Sequence, residues 1–244
     1  MEIYIGKITF ENAGNSGGSE ITAPCYITED LKGYSNEDTN KLFKSLNDSI
    51  LLTNKLYNEG VTKFSNYKST LIYAPVLYMS SVNSSVFDGC AVLEFVPRVY
   101  GPDNMSLSNW FAGCTNLKRV NLSDNNIGNG YKCFYNLKNL TYVDLTNCDF
   151  SNCTKTTSQL NTLNSMFYNN SALVDVIMIG AILPKTNITS MGLDSCNALS
   201  VDSLVSILNA LPTGSYTIKL GSTNLAKLSD EQKAIATNKG WTLS

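Results

Sequence analysis

The sequence predicts an α/β fold: a short solenoid of stacked repeats, preceded by a strand-and-helix segment and closed by an α/β cap. Three observations lead there. A phrase of ten to twelve residues recurs between Phe87 and Leu199, and its copies begin 24, 23, 33 and 26 residues apart. An apolar seam at helical spacing lies before the copies. A helix, strand, helix, strand pattern lies after them. Self-similarity at twenty-odd residues marks units too small to bury their own apolar face, which must stack to make one core.

The clearest copy is Phe111-Ala-Gly-Cys114-Thr-Asn-Leu117-Lys-Arg-Val120-Asn-Leu122. Phe87-Asp-Gly-Cys90-Ala-Val-Leu93-Glu-Phe95-Val96 precedes it, and copies opening at Phe134 and Phe167 follow. Leu193-Asp-Ser-Cys196-Asn-Ala-Leu199 is a decayed fifth copy. Leu117, Val120 and Leu122 end in period-two alternation, the pattern of a short strand with one face inward. The Phe and Cys lie upstream, where the chain turns and covers the far side of the core. The long step implies an insertion, placed between Cys148 and Leu163.

The phrase resembles the BspA-type leucine-rich repeat, roughly F-x-x-C-x-x-L-x-x-V-x-L. Leu137 and Asn170 stand where that pattern has Cys, and Leu193 replaces its Phe. The resemblance implies a short leucine-rich-repeat solenoid over residues 61–199, and a non-enzymatic role in binding surface glycans or proteins.

Ahead of the repeats, residues 1–34 read as an anchoring segment. Ile3, Ile5, Ile8 and Phe10 alternate with polar residues as a strand does, and Asn12 to Glu20 has the composition of a flexible linker. A docking tag and a frayed terminus both fit this organisation. Ile21 to Leu31 is a second extended piece. Ser35 then caps a helix over 35–60, with Glu37 and Asp38 in its first turn and Gly60 at its end. Phe43, Leu46, Ile50, Thr53 and Tyr57 are spaced 3, 4, 3, 4, an a/d seam. At 1.5 Å per residue the seam is ~22 Å long. It suits a homodimer or homotrimer, or an intrachain cap on the first repeat, and the two uses are compatible. Residues 61–85 hold a degenerate first repeat, with Leu71-Ile-Tyr-Ala-Pro75-Val-Leu in the strand position.

Beyond the repeats, residues 200–244 form the predicted cap. Ser200 to Leu211 is an amphipathic helix stopped at Pro212, Tyr216 to Leu220 a strand, and Ser229-Asp-Glu-Gln232 a capping box opening a helix through Lys239. Trp241-Thr-Leu is a last strand, with Trp241 sealing the end. This segment resembles the C-termini of repeat proteins of gut Bacteroidetes and their crAss-like phages.

Composition excludes several functions. A net charge of −2 with 16% charged residues gives no basic face for nucleic acid. With no histidine, no Ser-His-Asp or Cys-His catalytic site exists, nor a His-ligated metal site. No pair of carboxylates is singled out for glycosidase chemistry. The chain is therefore expected to be no enzyme and to need no cofactor or metal. Of the seven cysteines, Cys90, Cys114 and Cys196 share one repeat position and read as buried thiols. Cys148 and Cys153 are read into the inserted loop, where pairing or metal binding remains open. No run approaches about eighteen apolar residues, so no membrane insertion is expected. Met1 to Lys7 lacks the basic and apolar regions of a secretory signal.

Residues alternating with the core in the repeat strands are the candidate binding ladder: Arg119 and Asn121, Tyr142 and Asp144, Asp175 and Ile177. A plain solvated face is the competing reading. The inserted loop is a second candidate. The leading expectation is a phage virion fibre or decoration protein. It would attach to other virion proteins through its N-terminal segment and display the repeats to a host-surface glycan or protein. A bacterial surface adhesin and an intracellular interaction module are the alternatives, placing the chain at the cell surface or in the cytoplasm.

Overall fold

The computed structural model describes residues 3–5, 25–27, 68–69, 71, 74, 77–78, 85–96, 98–153, 165–184 and 190–244. The predicted linker at 12–20, the helix at 35–60 with its seam, and Phe64, which stands 23 residues before Phe87 as the Phe of the degenerate first repeat, lie outside the described residues. The fold is mixed α/β, built mostly from short strands in parallel sheets.

β1 (Ile3–Ile5) and β2 (Cys25–Ile27) pair antiparallel. β3 (Leu77–Tyr78) pairs in parallel with β5 (Val99–Tyr100). The main sheet holds one strand from each of four successive copies: β4 (Phe95–Val96), β7 (Arg119–Asn121), β9 (Tyr142–Asp144) and β10 (Asp175–Ile177). They lie side by side in chain order, all parallel. A second ladder runs through β6 (Met105–Ser106) and β8 (Ile127–Asn129), then through single bridges from Asn126 to Asp149 and from Asp149 to Ile182. The degenerate copy joins the same stack: Leu71 and Ala74 are buried, and the Ala74 N–H donates to the Phe95 carbonyl at 3.0 Å.

Each copy places the same side chains inside. Leu117, Val120 and Leu122 are buried, as are Leu140, Val143 and Leu145, and then Leu173, Val176 and Met178. On the far side the phenylalanines stack. Phe87 to Phe111, Phe111 to Phe134 and Phe134 to Phe167 lie 5.4, 5.6 and 5.5 Å apart with nearly parallel rings. Each such pair contributes about 0.5–1.5 kcal/mol beyond area burial. The turn after each Phe needs a left-handed residue, held by Gly89, Gly113, Asn136 and Asn169 in successive copies. Gly and Asn are the residues that enter this region most readily.

The structure corrects the insertion. Cys148, Phe150 and Cys153 are buried in the stack, and the Phe150 N–H donates to Ile182 at 2.8 Å. These residues belong to the regular copy, because their side chains fill the core between the second ladder and the turn. The extra length falls at 154–164, outside the described residues.

The fifth copy turns into a helix where its strand would begin. α1 (Val201–Ala210) is capped by Ser200, whose hydroxyl accepts from the Ser203 N–H. The helix runs along the open edge of β10. There the Ser203 hydroxyl accepts from the Val176 N–H at 2.6 Å and donates to the Val176 carbonyl at 3.2 Å. The Ser206 hydroxyl accepts from the Met178 N–H at 2.8 Å. Two serines thus satisfy groups that a further strand would have paired, and the edge is closed. Beyond it, β11 (Ser190–Gly192), β12 (Tyr216–Lys219) and β13 (Trp241–Leu243) form a parallel three-stranded sheet. Between β12 and β13 lie α2 (Gly221–Leu225), which the sequence reading lacks, and α3 (Asp230–Thr237). Both bonds of the capping box at Ser229 and Gln232 are present. α3 ends two residues short of Lys239, with Asn238 as its C-cap. Trp241 is buried against Tyr216 and donates to the Pro212 carbonyl at 2.7 Å. One hydrophobic core runs from Leu71 to Trp241.

Ser203 is fully buried. Ser203→Ala leaves the Val176 N–H and carbonyl without that partner and is expected to cost about 1–3 kcal/mol. Urea unfolding measures this, with an unchanged midpoint as the opposing result.

Candidate functional site

The main sheet brings the six predicted ladder residues onto one face. Core residues alternate with them along each strand, so all six are half-buried on the side away from the core. The parallel register sets Arg119 beside Tyr142 and Tyr142 beside Asp175. It likewise aligns Asn121, Asp144 and Ile177. Phe95 extends the first row by pairing with Arg119. Its place in the row was legible from the alignment of the copies, since it holds the position of Arg119 one copy earlier.

The two rows differ in chemistry. In the first, the Arg119 guanidinium lies 4.6 Å from the Tyr142 ring centroid. Lys118 sits 6.0 Å from the Phe95 ring and pairs with Glu94 at 2.8 Å. Arginine stacked on tyrosine gives a planar cation and a flat apolar surface side by side, a combination suited to recognition. Asp175 closes this row, its carboxylate accepting from the Ser200 hydroxyl at 3.0 Å.

In the second row Asn121 Oδ1 and Asp144 Oδ1 make local bonds. Asn121 Oδ1 accepts from the Ser123 N–H at 2.9 Å and from its hydroxyl at 2.7 Å. Asp144 Oδ1 accepts from the Thr146 N–H at 2.9 Å. These bonds to the backbone two residues on form the turns that leave the strands. Asn121 and Asp144 therefore shape the chain end of each strand, and Phe95, Arg119 and Tyr142 bring the aromatic and guanidinium groups of the face together.

A further cluster, absent from the sequence reading, borders the face. Arg98 is only 7% exposed. It pairs with Asp124, donates to Asn121 Oδ1 at 3.3 Å and lies 4.8 Å over the Tyr100 ring. The Arg98 hydrogen bond, and then that from Asn147 at 2.9 Å, hold the Asp124 carboxyl below its ordinary range. Asp124 and Asn147 fall at one position of successive copies, and Gly180 follows them. Gly180 has φ +68, and a Cβ there would meet Asn147 Oδ1 at 2.3 Å. Only the 23-residue step between Asp124 and Asn147 hints at this ladder in the sequence.

Cysteines tie one copy to the previous one. The thiols of Cys114 and Cys196 donate to the carbonyls of Phe87 and Phe167, each at 3.1 Å. Cys148 donates to Leu122 at 3.0 Å and Cys153 to Ile127 at 3.1 Å. Asn170, in the Cys position of its copy, performs the same task, its Nδ2 donating to the Phe134 carbonyl. Its Oδ1 also accepts from the Leu137 N–H at 2.7 Å. Cys148 and Cys153 form no disulfide with each other, and Cys90, Cys114, Cys133 and Cys196 form none either. Burial pushes the Cys90 and Cys196 thiols up to about 11 and Cys148 up to about 12, and it raises Cys114 and Cys133 as well. Among the described residues no group of three or more Cys, Asp or Glu is placed to hold a metal ion. None of the helices among them is long and apolar enough to cross a membrane.

No protein-family model, curated protein or solved structure matches this chain.

Thiolate is the reactive form of cysteine, and buried thiols with raised pKa withhold it. With Cys25 replaced by Ser, the folded protein is expected to give almost no fast reaction with Ellman's reagent at pH 8. All six remaining thiols should react in denaturant. Fast reaction of two or more in the native state would contradict the buried, hydrogen-bonded arrangement.

Proposed function

We propose that this chain is a non-enzymatic recognition protein: a short solenoid of BspA-type leucine-rich repeats, carried by a phage virion as a fibre or decoration component. The observation that carries the reading is the in-register row of Phe95, Arg119 and Tyr142 on a single parallel sheet. A rigid sheet that presents aromatic and guanidinium groups at fixed spacing is a binding scaffold. The fold supports the solenoid reading through its two parallel ladders and the phenylalanine stack, both of which advance by one copy at each step.

In this reading residues 61–199 recognise a glycan or protein of the host surface, and residues 200–244 close the stack. Residues 1–34 attach to other virion proteins, and the seam of Phe43, Leu46, Ile50, Thr53 and Tyr57 joins copies into a dimer or trimer. Several weak faces on one stem then bind with avidity that exceeds the single-site affinity by a factor of about 10²–10⁴. Reduced, buried thiols support synthesis in a reducing cytoplasm. The resemblance of the C-terminal segment to crAss-like phage proteins supports the virion assignment.

Three forms of the full chain test this reading on intact host cells. The wild type is expected to be a dimer or trimer by light scattering and to adhere. Arg119→Ala with Tyr142→Ala should lose at least about tenfold in adhesion, the scale of ~1.4 kcal/mol, with little change in thermal midpoint. Leu46→Asp with Ile50→Asp should give a folded monomer that loses avidity. Adhesion undiminished in the Arg119 and Tyr142 variant would contradict the binding face. In a gradient of the producing lysate the chain should travel with phage particles, and its absence from them would contradict the virion assignment.

A further inference from the structure

On the turn side of the repeats, Tyr135 and Tyr168 each follow a stacked phenylalanine at the same position of successive copies. Their rings stack at 5.4 Å and 14°. Both nevertheless stand open to solvent, at 37% and 48% exposure. The turn itself needs no aromatic there, because the other copies carry Asp88, Ala112 and Asp194. The pair is an addition to two coils of an otherwise tolerant position.

Lys132 stands beside them. Its ammonium lies 4.9 Å from the Tyr135 ring and 5.2 Å from the Tyr131 ring. Its backbone is left-handed at φ +52, where the two preceding copies have Ser85 and Asn109. A long side chain seldom takes that conformation. Strain at a half-buried residue, once observed, is a pointer to function. Lys132 has no carboxylate partner among the described residues. Next to it, Asn136 Oδ1 accepts from Asn169 Nδ2 at 2.7 Å, and Asn169 Oδ1 accepts from Lys138 Nζ. Among the described residues the Asn136 Nδ2 group and the two phenol hydroxyls have no hydrogen-bond partner.

We propose that this turn surface is a binding site for an acidic saccharide. The tyrosine pair offers flat apolar area with a polar tip, which suits the C–H face of a pyranose. Lys132 meets a carboxylate or sulfate on the sugar, and Asn136 and the phenols bond its hydroxyls. Lys132 and Lys138 are the charges within the cluster, so an anionic sugar is preferred to a neutral one. Asp194, one copy further along, confines the platform to the two middle coils. The site is separate from the strand face, and it holds whether the chain is displayed on a virion or elsewhere.

An array of uronate-bearing and sulfated oligosaccharides, printed beside their neutral counterparts, tests it with the full chain. Wild type should retain acidic glycans over neutral ones, and the retention should fall with added salt. Tyr135→Ala with Tyr168→Ala should reduce retention more than tenfold, and Lys132→Gln should abolish the acidic preference. Lys233→Gln, which removes a lysine from α3 of the C-terminal cap, should leave both intact. If the tyrosine double variant fails to fold, Lys132→Gln carries the test alone. Absence of any acidic glycan bound, or binding that the Lys132 and tyrosine variants leave unchanged, would overturn the site.

Discussion

The in-register stacking of each coil on the next is the constraint on which the rest of this molecule depends. Each coil donates backbone N–H groups to the carbonyls of its neighbour, at the strands, at the second ladder and at the phenylalanine turn. A shift by one residue would move every Leu and Val of a strand to the outside. The register therefore fixes the core, and through the core it fixes the outer rows. Arg119 stacks on Tyr142 because Val120 stacks on Val143.

The polar groups inside the stack follow the same logic. Thiols of Cys114, Cys148, Cys153 and Cys196 and the amide of Asn170 each cap a carbonyl of the coil before. A small side chain with one donor fits there, and burial keeps the thiols protonated so that the donor is present. The same requirement explains why Asn replaces Cys in one copy. Where stacking ends, Ser203 and Ser206 substitute for a strand backbone, and the helix α1 takes over without leaving the edge open.

Much of this was legible in the sequence, for reasons tied to particular residues. Alternation in Leu117, Val120 and Leu122 and its recurrence gave the strands, their order and the outward residues. Ser200 and Ser229 gave helix starts because capping is local. The reading failed where a residue type has two uses. Cys148 and Cys153 looked like loop residues because their copy continues into an insertion, yet they fill the core. Asn121 and Asp144 lie on the outer face and also bond the backbone two residues on, a use that alternation alone does not show. Arg98 gave no signal, since its partners Asn121 and Asp124 lie a full coil away. The seam over 43–57 falls outside the described residues and rests on its spacing alone.

The register is tested most directly by a pair of introduced cysteines. Arg119→Cys with Tyr142→Cys places two thiols on adjacent parallel strands, which run about 4.7–4.9 Å apart. That lies within the span a disulfide bridges, about 4.4–6.8 Å between Cα atoms. Asn121→Cys with Tyr142→Cys is the diagonal pair, at about 7–8 Å and out of easy reach. With Cys25 replaced by Ser, mild oxidation should cross-link the first pair rapidly within one chain and leave the second open. Cross-linking of the diagonal pair in preference to the direct one would contradict the stacking, and with it the proposed binding face.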